Sequence, residues 1–178
     1  MKNIIFFITL LLTLKGSSQN SDLFRTWHLT KVTVDDINYI PEDYGYFPDL
    51  IIDEYSGMYS IALADPMNTV CSTLIENFLN NPDTFTIDQN SWLCFPYQTC
   101  LDGPDGPCTT IYGKHSEIYY DIVLPFNYII EQNGDEFSLE IVNSEGNHAY
   151  YSSMPLSQPE FSPLQVTLYP NPVSDVLY

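Results

Sequence analysis

Residues 128–141 read Tyr-Ile-Ile-Glu-Gln-Asn-Gly-Asp-Glu-Phe-Ser-Leu-Glu-Ile. Asn133-Gly134 is the dipeptide that type I′ hairpin turns demand, because both central residues must take positive φ. Beyond it Phe137, Leu139 and Ile141 alternate with Ser138, Glu140 and Val142, the period of two expected of a strand with one buried face. The reading is a hairpin from Tyr128–Gln132 to Phe137–Val142. A second turn at Ser144–Asn147 leads into a third strand, His148–Ser152.

Upstream the same grammar repeats: short runs rich in Tyr, Phe, Ile and Val, cut by turn residues. Thr26–Val34 is the first strand. Trp27 and Leu29 share one parity and Val32 and Val34 the other, so a bulge near Thr30 or Lys31 is needed to bury all four. Leu50–Ile52 and Met58–Leu63 follow, joined across the polar turn Asp53–Gly57, and then Thr84–Ile87 and Trp92–Cys94. Helical spacing of Ile118, Tyr119, Ile122 and Val123 predicts one short helix over Ser116–Val123. The expected fold is all-β: a small antiparallel barrel of about eight strands with one short helix.

In order, these landmarks resemble the lipocalin-like and META-type barrels of secreted bacterial proteins. The likeness is carried by Thr26-Trp27-His28-Leu29-Thr30-Lys31-Val32, Cys71, Trp92-Leu93-Cys94, Glu117-Ile118-Tyr119-Tyr120, Phe137–Ile141 and Gly146–Tyr151. It covers roughly residues 22–153. Arg25, and not glycine, stands two residues before Trp27, which favours the bacterial variant over the true lipocalins.

The two ends read as addresses. Lys2 precedes the apolar run Ile4–Leu14, too short for a bilayer span of about 20 residues but right for a signal-peptide core, so residues 1–19 are expected to be removed. The barrel domain is placed at 20–156 and a linker at 157–167. Leu168-Tyr169-Pro170-Asn171-Pro172-Val173-Ser174-Asp175-Val176-Leu177-Tyr178 resembles the opening of the type A C-terminal sorting domain of the type IX secretion system of Bacteroidetes. That resemblance implies handling by the type IX machinery and a secreted or outer-surface location. Sorting domains of that family continue for some tens of residues, so 168–178 is read as the start of a truncated one.

The chain has 178 residues, five Lys+Arg against 23 Asp+Glu, and a formal charge of −18. Without Lys2 and Lys15 only Arg25, Lys31 and Lys114 remain, and the charge becomes −20. Such a surface lacks the means to neutralise phosphates, which excludes nucleic acid as a partner. No transmembrane segment remains once the leader is gone.

Four cysteines in an exported chain read as two disulfides. The count allows three pairings. Cys100 and Cys108 bracket a loop rich in Gly, Pro and Asp, whose closure cost is small, and this leaves Cys71 with Cys94. Zinc is disfavoured because the spacing contains no C-x-x-C pair. Asp102 and Asp105 in the same loop are the candidate ligands for calcium.

No catalytic residues are assigned. His28, His115 and His148 lie far apart in sequence, and His115-Ser116-Glu117 are neighbours that do not face one another as a triad must; Ser116 is read as a helix N-cap. The chain lacks G-x-S-x-G, H-E-x-x-H and a glycine-rich phosphate loop. Tyr39, Tyr44, Tyr46 and Phe47 cluster in the loop Asn38–Asp49, either lining a rim for a small apolar or sugar ligand or covering the barrel end as a lid. The preferred function is a non-catalytic binding or surface-interaction module. A structural or adhesive surface protein and an extracellular hydrolase are the alternatives. An interior filled by Trp27, Leu29, Phe85, Leu139 and Ile141 would speak against a ligand held inside.

Overall fold

The first strand, β1 (Arg25–Val34), is the seam of the molecule. In the computed structural model, which describes residues 21–64, 69–76 (backbone alone at 69 and 70), 83–94, 100, 102–120, 122 and 125–156, β1 pairs with β10 (His148–Ser152) along one edge. Its other edge is shared by β3 (Asp49–Tyr55) and the short β2 (Ile37–Tyr39). The path continues antiparallel through β4 (Met58–Ala64), β5 (Thr69–Glu76), β6 (Thr84–Ile87), β8 (Phe126–Asn133) and β9 (Glu136–Val142) back to β10. Eight strands thus close a barrel, while β2 and β7 (Leu93–Cys94) are side branches on β1 and β5.

The bulge falls where the parity of β1 requires it. Leu29 faces Tyr151 and Lys31 faces Tyr150, so Thr30 is the extra residue. Its hydroxyl donates to the Tyr150 carbonyl at 3.0 Å. The slip turns Val32 and Val34 inward beside Trp27 and Leu29, and all four are buried. Leu50, Ile52, Ile61, Leu63, Phe85, Ile87, Phe126, Leu139, Ile141, Ala149 and Tyr151 complete the interior from the other strands.

Helix α1 (Pro41–Tyr44) is a single turn after β2, and helix α2 (Pro107–Ser116) is the one longer helix among the described residues. The helix was expected at Ser116–Val123, so the expectation is displaced by about its own length. Ile118, Tyr119 and Ile122 are buried as that spacing implied, but they lie beyond the end of α2, Ile118 and Tyr119 in the turn that follows it; Val123 is outside the described residues. Ser116 stands at the C-terminal end of the helix, its hydroxyl donating to the Gly113 carbonyl at 2.8 Å, and is therefore no N-cap.

Three further boundaries differ. Asp53–Gly57 is not a five-residue turn: Asp53, Glu54 and Tyr55 continue β3, and only Ser56-Gly57 turn, both at positive φ. In the β8–β9 hairpin Asn133 pairs with Glu136, so Gly134-Asp135 form the loop, and Gly134 alone has positive φ, as at the first position of a type II′ turn. Of the expected strand Trp92–Cys94 only Leu93–Cys94 forms, as a side branch on β5, and β5 itself is the eighth strand of the barrel. The leader at 1–19, the linker at 157–167 and the sorting-domain start at 168–178 lie outside the described residues.

Candidate functional site

The interior leaves little room. Trp27 and Ile141 are fully buried and Leu29, Phe85 and Leu139 are 1% exposed. Trp27 donates its indole N–H to the Leu23 carbonyl at 2.9 Å, which ties the 3₁₀ turn Ser21–Leu23 to one end of the barrel. Arg25 lays its guanidinium 5.3 Å from the centroid of Trp27 and 4.1 Å from that of Phe137. Phe85 stacks on Phe126 at 5.2 Å.

The aromatic segment packs against the core. Tyr39, Tyr44 and Tyr46 are half-buried and packed against the core. Tyr39 and Tyr44 have ring centroids 6.4 Å apart, and Lys114 of α2 sits 5.6 Å from the Tyr39 ring. Phe47 is also half-buried.

Near the end of α2 lies a cluster that the sequence did not reveal. His115 Nε2 is 2.8 Å from the Tyr151 hydroxyl, which is 2.5 Å from the Tyr119 hydroxyl. All three side chains are buried. Burial pushes the His115 imidazole down to about 3 and pushes both tyrosines above their ordinary range, Tyr151 further because Tyr119 adjoins it. His115 Nδ1 is buried with no hydrogen-bond partner. Tyr151 thus stands between the half-satisfied imidazole and the Tyr119 phenol, and the cluster reads as a polar rivet between the end of α2 and β10. Tyr151→Phe is expected to cost about 2–4 kcal/mol, because it strands His115 Nε2 and the Tyr119 hydroxyl together; urea denaturation measures it. Tyr119→Phe, which removes only the terminal hydroxyl, should cost less.

The other histidines are elsewhere. His28 Nδ1 is 2.8 Å from Asp49 and His148 Nδ1 is 2.7 Å from Glu140. Glu117 binds Lys114 at 2.8 Å, so His115, Ser116 and Glu117 face three separate partners. Among the described residues the three histidines thus form no common constellation with a nucleophile.

Cys71 is bonded to Cys94 across the β5–β7 pair, and Cys100 to Cys108 at the start of α2. The closed loops span 23 and 8 residues, which on chain-entropy grounds gives about 3.4 and about 2.5 kcal/mol. Replacing each pair by serine should therefore cost more at Cys71–Cys94 than at Cys100–Cys108, as read from urea midpoints.

Asp102 caps α2 from the bridged loop. Its carboxylate accepts from the Cys108 N–H at 2.6 Å, the Thr109 hydroxyl at 2.9 Å and the Thr109 N–H at 3.4 Å. Desolvation raises its pKa, but these bonds outweigh it and hold the carboxyl below its ordinary value of 3.8. The cap's stability is accordingly present above that value and lost as pH falls below it. The metal-capable atoms close together here belong to Cys100, Asp102 and Cys108, and both sulfurs are already in a disulfide. Asp105 is exposed and not of that group. A Cβ on Gly106 would lie 2.1 Å from the Asp102 Cγ, so Gly106→Ala should displace the cap and lower the thermal midpoint while leaving both disulfides intact by mass.

No protein-family model matches the chain, and no curated protein matches it. Its class therefore rests on the fold: a closed eight-stranded antiparallel barrel with one short helix, compatible with a lipocalin-like barrel. Among the described residues no helix is long and apolar enough to cross a membrane.

Proposed function

We propose that this chain is an exported, lipocalin-like domain, delivered by the type IX route, that acts non-catalytically through its outer surface and holds no ligand inside. The observation that carries this is the filled interior: Trp27, Leu29, Phe85, Leu139 and Ile141 occupy the space a ligand would need, each 1% exposed or less. Small barrels are commonly filled by their own side chains. The half-buried Tyr39, Tyr44 and Tyr46 support the lid over the rim. Export is supported by the leader-like N-terminus, the Pro-Asn-Pro tail and the two disulfides, which suit an oxidising compartment. Native mass spectrometry of the oxidised chain, compared with its denatured mass, tests the reading. A bare mass supports it. An excess equal to a lipid or sugar overturns it, and an excess of one calcium moves attention to Asp102 and Asp105.

A further inference from the structure

The outer faces of β1, β10, β9 and β8 form a concavity of about 510 Å³, lined by Thr30, Lys31, Ile129, Glu131, Glu140 and Tyr150 among others. The bulge at Thr30 lies within it. Ile129 stands 56% exposed on this face. The decisive feature is charge. Arg25 is paired with Asp22 at 3.2 Å and Lys114 with Glu117 at 2.8 Å. Among the described residues Lys31 is the one Lys or Arg with no carboxylate within 4.0 Å, its ammonium lying 3.9 Å from the Tyr150 ring centroid. Glu140 is engaged by His148 at 2.7 Å, whereas Glu131 is exposed.

From these facts we propose that this face is where two copies of the chain meet. The proposal rests on the reading that the domain works through its surface. On a chain of formal charge −18, almost any pairing of two copies sets acid against acid and is repelled. The Lys31 face is the exception, because it carries a cation with no carboxylate partner and the exposed Glu131 around an exposed aliphatic side chain. An isologous contact about a two-fold axis pairs such groups twice over, Lys31 of each copy with the partner's Glu131, while Ile129 and Tyr150 lose water between them.

Sedimentation equilibrium of the full oxidised chain, with charge-exchange variants on the outer face, tests this. The wild type is expected to show twice the chain mass at high concentration. Lys31→Glu and Glu131→Lys should each weaken the dimer by at least about tenfold, and the double exchange should restore it. Ile129→Glu should abolish it. Near-UV circular dichroism confirms that each variant keeps its fold, and the restored double variant excludes misfolding as the cause. A wild type that stays monomeric overturns the proposal and hands the face to a different partner, as does a dimer indifferent to all three single changes. The two readings fail separately: a bare monomer sinks the dimer alone, and a ligand-laden dimer sinks the filled-barrel reading alone.

Discussion

Trp27→Ala is expected to destabilise the barrel by about 3–5 kcal/mol, the usual cost of deleting a large buried aromatic ring. Trp27 is fully buried, covered at one end by Leu23 and packed beneath Arg25. The substitution also removes the indole donor and leaves the Leu23 carbonyl without it. A second effect bears on function. Emptying the site creates an apolar void, and such voids take up small aromatic molecules. The variant should therefore bind a benzene-sized probe that the wild type refuses, with a matching rise in thermal midpoint on saturation. A loss under about 1 kcal/mol, or equal uptake by both proteins, would mean that the interior already holds usable space and that an internal ligand must be reconsidered.

The second large effect is acid lability from His115. In the folded protein this imidazole is held neutral down to about 3 by burial, whereas in the unfolded chain it protonates near its ordinary 6.5. Between those values the unfolded state binds the extra proton. Stability therefore falls as pH drops, by up to about 1.4 kcal/mol per unit, or about 2 kcal/mol between pH 8 and pH 5. The full loss approaches the order of 5 kcal/mol near pH 3. Opposing this, protonating carboxylates relieves the self-repulsion of a chain with 23 acidic residues. Comparison with His115→Phe separates the two, since the variant keeps the acids and loses the imidazole. Urea midpoints at pH 8, 7, 6 and 5 should fall more steeply for the wild type. Parallel curves would show that His115 is solvated in the folded state.

The barrel was legible because its strands carry strong local signals. The β8–β9 hairpin shows alternation and a turn dipeptide, and the parity break in β1 announces a bulge that Thr30 supplies. Strand β5 gives no such signal. Its inward positions are Cys71, Thr73 and Ile75, while the apolar Leu74 is 45% exposed, so the pattern is blurred. Thr73 is tolerated inside because its hydroxyl donates to the Asp88 carbonyl at 2.7 Å and meets Ser91 at 2.7 Å, partners brought in from a distant turn. Helix α2 was hidden for a related reason. Its sequence, PCTTIYGKHS, has only Ile111 and His115 buried, and its start is fixed by Pro107, the Asp102 cap and a disulfide. Proline opening a helix behind an acidic loop was the available clue. The His115, Tyr119 and Tyr151 cluster joins residues 32 and 36 positions apart, which no local pattern encodes.

The pairing of β1 with β10 sets the order of events during folding. His28 must find Ser152 and Thr33 must find His148, contacts between the first and the last strand among the described residues. Loop-closure entropy is paid before such contacts return anything, so all-β domains of this kind fold in milliseconds to seconds, far more slowly than helical ones. A chain emerging from its N-terminus cannot seal the barrel until residues 148–152 have appeared. Up to that moment the outer edge of β10 is missing and the edge of β1 stands open. The seam therefore keeps the growing chain unclosed until β10 arrives, so every earlier intermediate presents a free strand edge.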